Sequence, residues 1–147
     1  MIKRLGVFVL VLILILPIAF SIKSIKLLAV MEQNNGSRIG TTADLTVEAK
    51  PGRGNVYIST FPASKIDTQM STRFAKEISC RFIDFDCDRY DFFYTIDSTS
   101  AIVGGPSAGS AIAALTISEL LNLKINSSVA LTGTINSGGL VGYVGGL

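Results

Sequence analysis

The stretch Gly104-Gly105-Pro106-Ser107-Ala108-Gly109 joins a β-prone run at 90–96 to a helical run at 110–121. Its glycines permit positive φ angles and the close approach of another backbone, and Pro106 suits the entry to a helix. Free N–H groups at a helix N-terminus favour an anion or a developing oxyanion. The stretch therefore indicates a nucleophilic serine at Ser107. The alternative is that Ser107 only caps the helix in a tight turn.

The composition restricts the chemistry open to such a serine. The chain has 147 residues, a net charge of +2 and no histidine. Without histidine it cannot use a Ser-His-Asp or Cys-His arrangement or a histidine metal site, so an activated serine needs another base, usually lysine. The small net charge provides no electrostatic argument for nucleic-acid binding. We expect no cofactor and no bound metal.

The two cysteines, Cys80 and Cys87, have a spacing that is not typical of a zinc site. They could form a disulfide if the domain is exported, and they would be free thiols in the cytosol. The sequence alone leaves both states open.

A membrane or export signal is predicted at the start of the chain. Lys3 and Arg4 precede an apolar run at 5–22, which has the length of a short membrane span and the pattern of a signal peptide. A buried core helix is the alternative. We predict a signal anchor or signal peptide at 1–24 and a folded domain at 25–147, with that domain outside the cytoplasm.

The rest of the chain alternates between strand and helix patterns. The predicted strands lie at 25–31, 43–49, 55–60, 90–96, 128–135 and 140–144, and the predicted helices at 67–83 and 110–121. The turn at 50–54 is predicted to connect the second and third strands as a hairpin, because it lacks a phosphate-loop pattern and no helix follows it.

Two further predictions concern the first helix. Asp67 is predicted to be its N-cap. Its apolar stripe is predicted to face the core, and consists of Met70, Phe74, Ile78 and Phe82. The acidic residues that follow are predicted to be solvated rather than to bind calcium.

The C-terminal half resembles the proteolytic domain of Lon serine proteases, from about residue 43 and most strongly from Gly104 onward. The family's serine lies in a G-P-S-A-G turn that opens a helix, which corresponds to 105–109 here. A T-G-x-I element follows at 132–135, and a V-G-G-hydrophobic element at 144–147. The order and spacing of the three motifs match the family, and the anchor suggests an archaeal, membrane-associated member.

The resemblance implies a Ser–Lys dyad with Ser107 as the catalytic residue. The lysine would be the third residue past the 144–147 element, so we interpret the sequence as truncated before it. Thr132 matches a threonine that helps to orient the lysine, and Gly105 and Ala108 would frame the oxyanion site. The chain departs from the family at Gly104, where many members have aspartate, and at Thr134, where many have glutamate.

The implied fold is α+β, like the second domain of ribosomal protein S5, preceded by an N-terminal hydrophobic helix. The implied activity is endopeptidase action on polypeptide substrates within a homo-oligomeric ring. A longer chain that contains the lysine could have this activity, and a chain that lacks the lysine could not. ATP dependence would follow from family resemblance only, since no Walker motif occurs in these residues. The alternatives are a small-molecule kinase domain and a non-catalytic, membrane-anchored binding domain.

Overall fold

A computed structural model describes residues 22–33, 35–61, 63–99, 103–126 and 128–145. The elements, in chain order, are β1 (Lys23–Glu32), β2 (Arg38–Pro51), β3 (Val56–Thr60), α1 (Ile66–Phe82), a 3-10 turn (Cys87–Arg89), β4 (Tyr90–Ser98), a second 3-10 turn (Pro106–Ala108), α2 (Gly109–Leu120), β5 (Ala130–Leu131), β6 (Thr134–Ile135) and β7 (Val141–Gly142). The mixture of helix and strand agrees with the predicted α+β composition.

The main sheet is mixed, with the strand order β3-β4-β2-β1-β5. β1 and β2 form an antiparallel hairpin in which Leu27 lies opposite Ala43. β2 also pairs with β4 antiparallel, while β3 runs parallel to β4 and β5 parallel to β1. The predicted hairpin between β2 and β3 is therefore wrong. Because β1 and β4 occupy both edges of β2, β3 cannot pair with β2, and it pairs with the far side of β4 instead.

The core lies between one face of this sheet and the helices. Inward-facing strand residues are apolar and buried, and they are Ile25, Leu27, Ala43, Leu45, Val47, Phe92, Tyr94 and Ile96. On the other face, Tyr57 stacks on Phe93 with 4.8 Å between ring centroids. The alternating burial of β2 agrees with the apolar–polar alternation of 43–49, and β4 shows the same alternation.

The helix α2 is buried along most of its length, and Ala111, Ile112 and Leu115 are fully enclosed. The Tyr94 hydroxyl lies 2.7 Å from Thr116 Oγ1 across the interface between β4 and α2. Burial raises the pKa of Tyr94, so the phenol stays neutral in the core.

The helix α1 contradicts the prediction of its core-facing side. Met70 and Phe74 are nearly half-exposed, and Phe82 is 79% exposed. The buried side instead carries small and hydroxyl residues together with Lys76, and consists of Thr68, Ser71, Thr72, Ala75, Lys76, Ser79 and Cys80. The reason is that α1 packs closely on α2 and on the Ser107 turn, where small side chains fit and hydroxyl donors are needed.

The start of α1 also differs from the prediction. The N-cap is Lys65, which has extended backbone angles and no side-chain capping bond. Asp67 lies inside the first turn, where its carboxylate accepts a 2.7 Å hydrogen bond from the N–H of Thr68. A carboxylate in this position still favours the positive end of the helix dipole.

Cys80 at the end of α1 and Cys87 in the following 3-10 turn form a disulfide. The sulfur bridge closes the acidic connection between α1 and β4. Within the described ranges, no group of acidic or cysteine side chains is arranged to hold a metal ion. Asp91 accepts hydrogen bonds from the N–H groups of Arg53 and Asn55, which hold its pKa below the ordinary value.

The predicted membrane segment at 5–22 lies almost entirely outside the described residues, and so does the predicted N-terminal hydrophobic helix. Among the residues that the structure does describe, no helix is both long and apolar enough to cross a membrane. The first strand begins at Lys23, directly after the apolar run.

Candidate active site

The turn before α2 is built around Gly105. Gly105 has φ 98° and ψ 149°, a conformation that favours glycine, and it precedes the 3-10 turn Pro106–Ala108. That turn continues directly into α2, so Ser107 lies inside the first helical turn. The capping positions are Gly105 and Ala108, without side-chain capping bonds, so the interpretation of Ser107 as the N-cap is wrong.

Ser107 itself is half-buried. Its Oγ makes no hydrogen bond to a residue in the described part of the chain, so the hydroxyl is free to meet a ligand. The N–H groups of Ser107 and Ala108 belong to the first turn, where no preceding turn of the same helix supplies a carbonyl to accept from them.

Two hydroxyl groups of α1 hold the carbonyls of this turn. Thr68 Oγ1 donates to the Gly105 carbonyl oxygen at 3.2 Å, and Ser71 Oγ donates to the Pro106 carbonyl oxygen at 3.1 Å. Both side chains are buried. In a trans peptide the carbonyl and the following N–H point in opposite directions. Fixing the Pro106 carbonyl against α1 therefore directs the Ser107 N–H away from α1.

Hydrogen bonds from Thr132 and Gly133 hold a further carbonyl on the other side of the turn. Gly133 N–H donates to the Ser107 carbonyl oxygen at 2.8 Å, and Thr132 Oγ1 lies 3.3 Å from the same oxygen. Gly133 in turn accepts a 2.9 Å bond from the Ser110 N–H. These contacts orient the peptide between Ser107 and Ala108, so the Ala108 N–H points away from Thr132.

These contacts explain why the predicted strand at 128–135 is interrupted. Residues Thr132 and Gly133 separate β5 from β6, because the Gly133 backbone and the Thr132 hydroxyl bond to the Ser107 turn and the start of α2 rather than to a neighbouring strand. A Cβ on Gly133 would lie 2.8 Å from Ser110 Oγ, so only glycine permits this approach. After this break, β6 and β7 pair antiparallel.

Gly109 completes the packing at the start of α2. A Cβ there would lie 2.9 Å from both Ile135 Cγ2 and Ser71 Oγ, and 3.0 Å from the Ile135 backbone nitrogen. The last glycine of the G-P-S-A-G motif thus allows α1, α2 and β6 to meet beside Ser107.

A cleft of about 660 Å³ opens at this turn. The four predicted site residues all line it, namely Gly105, Ser107, Ala108 and Thr132. One wall is formed by 27–30 of β1 and 40–43 of β2, and Tyr143 and Val144 also line the cleft. No charged side chain lines the cleft within the described residues.

Sequence reasoning missed Thr68, Ser71 and the β1–β2 wall. A signal for the first two was present: small or hydroxyl residues recur along one face of α1, at 68, 71, 72, 75 and 79. Such a stripe is typical of a helix face packed closely against another backbone. Nothing in the alternating pattern of β1 and β2 distinguishes the residues beside the cleft from the others.

Three lysines, Lys65, Lys76 and Lys124, have different surroundings, and none of them lines the cleft. Lys65 packs its methylene groups on Gly104, where an added Cβ would lie 2.6 Å from Lys65 Cδ. Lys76 is buried, with its ammonium 2.9 Å from Glu77 Oε1 and 5.5 Å from the centre of the Phe92 ring. Lys124 follows the far end of α2.

Residues 86–147 match the family model of the Lon protease (S16) C-terminal proteolytic domain. This part of the chain is a Lon-type protease domain. The match covers β4, the Ser107 turn, α2 and the three short strands, and it supports serine protease function in general. The predicted resemblance to Lon proteases is thereby confirmed for these residues, and the archaeal, membrane-associated details stay predictions. No curated protein matches the chain in a sequence comparison.

Proposed function

We propose that the chain is a serine-type endopeptidase of the Lon family in which Ser107 is the nucleophile. The observation that carries the proposal is the turn itself, where hydroxyls from α1 and the Thr132–Gly133 break bind the carbonyls of Gly105, Pro106 and Ser107. Ser107 Oγ would attack a peptide carbonyl, and the N–H groups of Ser107 and Ala108 would face the oxyanion. The peptide C–N bond would break, the amine half of the substrate would leave with the proton that the base took from the serine, and water would then hydrolyse the acyl-enzyme.

The base in this proposal is a lysine, because the chain has no histidine. The resemblance implies that it would be the third residue past Leu147. A lysine can accept the serine proton only if burial lowers its pKa. Thr132 would help to orient the ammonium, and so would Ser110, whose Oγ is buried without a hydrogen-bond partner among the described residues.

The substrates would be polypeptide segments without charge at the residues that enter the cleft, since its described lining is uncharged. Any ATP dependence would belong to a separate module, as the family resemblance implies. Assembly into a homo-oligomeric ring is part of the same proposal.

We further propose that residues 5–22 anchor the domain to a membrane and that the domain lies outside the cytoplasm. The Cys80–Cys87 disulfide favours this location, because such bonds persist in oxidising compartments.

The test begins by reading the coding sequence past the codon for Leu147. The encoded protein is then treated with a fluorophosphonate probe, and the labelled peptide is identified by mass spectrometry. We expect a lysine at the third position and a label on Ser107 that is absent from Ser107→Ala. A matched Ser137→Ala variant, altered in the exposed β6–β7 hairpin, should label like the unmodified protein.

Two results would overturn the proposal. A reading frame that ends at Leu147 would remove the Ser–Lys dyad. A folded protein whose Ser107 resists the probe would favour the non-catalytic binding domain instead.

A further inference from the structure

We propose that the end of the domain where β1 begins is a membrane-docking surface. We define this surface by four exposed apolar residues: Ile22 before β1, Leu121 and Leu123 after α2, and Val129 before β5. Between 47% and 58% of each side chain is exposed. The proposal rests on the anchoring by residues 5–22 proposed above, and it is independent of the peptidase activity.

The contacts around Lys23 bring the four residues together. Lys23 Nζ donates to the Ser118 carbonyl oxygen at 2.6 Å and to Asn122 Oδ1 at 3.3 Å, which ties the start of β1 to the end of α2. The Leu123 N–H bonds to the same Ser118 carbonyl at 2.9 Å. Because β5 runs parallel to β1 from Lys26 onward, the residue before β5 also lies at this end.

A shallow apolar groove lies within the surface. Its volume is about 330 Å³, and Ile25, Leu123 and Val129 contribute to its lining. Exposed leucine and valine side chains around such a groove are typical of a surface that binds a membrane or another apolar partner.

The partner of this surface is a lipid bilayer, because the apolar run at 5–22 ends directly before β1. Residues 5–22 contain no charged side chain, and β1 begins at Lys23 without a polar linker. If 5–22 lies in a membrane, the surface cannot be more than a few residues from the headgroups. Apolar side chains of interfacial segments enter the boundary between headgroups and acyl chains to a depth of about 5–10 Å.

The charges at this end agree with that orientation. Lys124 is the single charged residue between 120 and 130, it is exposed, and its ammonium could bind lipid phosphate. Glu119, in the last turn of α2, is paired with Lys23, with 3.8 Å between Oε2 and Nζ. Further acidic residues at this end are Asp84, Asp86 and Asp88. They precede β4, which β2 separates from β1, so they lie beside the surface rather than in it.

Docking in this way would orient the active site. Ser107 is at the opposite end of α2, whose 12 residues span about 18 Å at 1.5 Å per residue. The cleft would therefore lie beyond the headgroup region and remain accessible to polypeptides in solution.

The chain has no tryptophan, so a single introduced tryptophan can report its own surroundings. The full chain is placed in phosphatidylcholine and phosphatidylglycerol vesicles, with or without brominated acyl chains. Leu123→Trp and, as a second reporter, Val129→Trp are compared with Ile39→Trp. Ile39 is a matched control because it is also apolar and partly exposed, at the other end of the β1–β2 hairpin.

We expect brominated lipids to quench the emission of Leu123→Trp and Val129→Trp at least about two-fold more than that of Ile39→Trp. Lys124→Glu should reduce this difference on vesicles that contain the anionic lipid. Vesicle flotation of the same samples reports anchoring separately.

If the full chain does not float with vesicles, both the anchoring and the docking surface are wrong. If it floats and the three reporters are quenched equally, the anchoring stands and the docking surface is wrong. Neither outcome depends on the reactivity of Ser107.

Discussion

The two helices pack against each other but bury opposite kinds of surface. α2 encloses Ala111, Ile112 and Leu115, as expected for an apolar helix on a sheet. α1 encloses hydroxyls such as Thr68 and Ser71 and leaves its apolar stripe half-exposed. The difference shows that α1 acts as the support of the Ser107 turn, whose carbonyls need donors that an apolar face cannot supply.

The largest expected effect is at Gly109, where α1, α2 and β6 meet. Gly109→Ala should lower the free energy of unfolding by about 3 kcal/mol, because its Cβ would overlap Ser71 and the Ile135 backbone. Urea denaturation measures the change. The control is Gly40→Ala, since a Cβ there would meet nothing within 4 Å. Equal losses in the two variants would show that the close contact between the helices is unimportant.

The second prediction concerns the C-terminal end of α1, which the Cys80–Cys87 disulfide holds. Replacing both cysteines with alanine should reduce the free energy of unfolding by about 2.5 kcal/mol, since the short loop is no longer closed in the unfolded chain. Denaturation with and without a reducing agent gives an independent measurement. A reductant that destabilises the double variant as much as the unmodified protein would contradict this explanation.

The third prediction compares the two faces of α1 directly. Thr68→Val should cost about 1.5 kcal/mol, because it leaves the partly buried Gly105 carbonyl without its donor. Met70→Ser on the apolar stripe should change the stability by less than about 0.5 kcal/mol, because Met70 is already partly exposed. If Met70→Ser lost more stability than Thr68→Val in denaturation experiments, the apolar stripe would be the core-facing side of α1.

The smallest effect is expected at the C-terminal end of α2, which is held by a charge. Lys23→Met should cost about 1 kcal/mol, because the ammonium bonds to the Ser118 carbonyl near the negative end of the helix. Lys26→Met is the matched control, since the exposed Lys26–Asp44 pair contributes less than about 0.5 kcal/mol. Thermal melts that shift equally would show that Lys23 is an ordinary surface lysine.

Much of the fold could be predicted because local patterns determined it. The alternation in 43–49 identified β2, the β-propensity of 90–96 identified β4, and the helical run at 110–121 identified α2. The pairing of β3 could not be predicted, since it depends on β4, which lies about thirty residues later and occupies the free edge of β2.

The site was predictable to a different extent. The order of the glycine turn, the T-G pair and the V-G-G element led to Ser107, Gly105, Ala108 and Thr132, and all four line one cleft. The hydroxyls of α1 were missed because hydrophobic periodicity assigns a helix face by counting apolar residues. That rule fails where the packing partner is a turn with unpaired carbonyls rather than an apolar surface.

The most direct test of this account is the rate at which a fluorophosphonate probe modifies Ser107 in variants of α1. Thr68→Val and Ser71→Ala should slow the reaction, because the peptide units around the serine lose their fixed orientation. Met70→Ser and Phe74→Ser, on the exposed stripe of the same helix, should leave the rate unchanged. Equal rates in all four variants would contradict the claim that α1 holds the turn for catalysis.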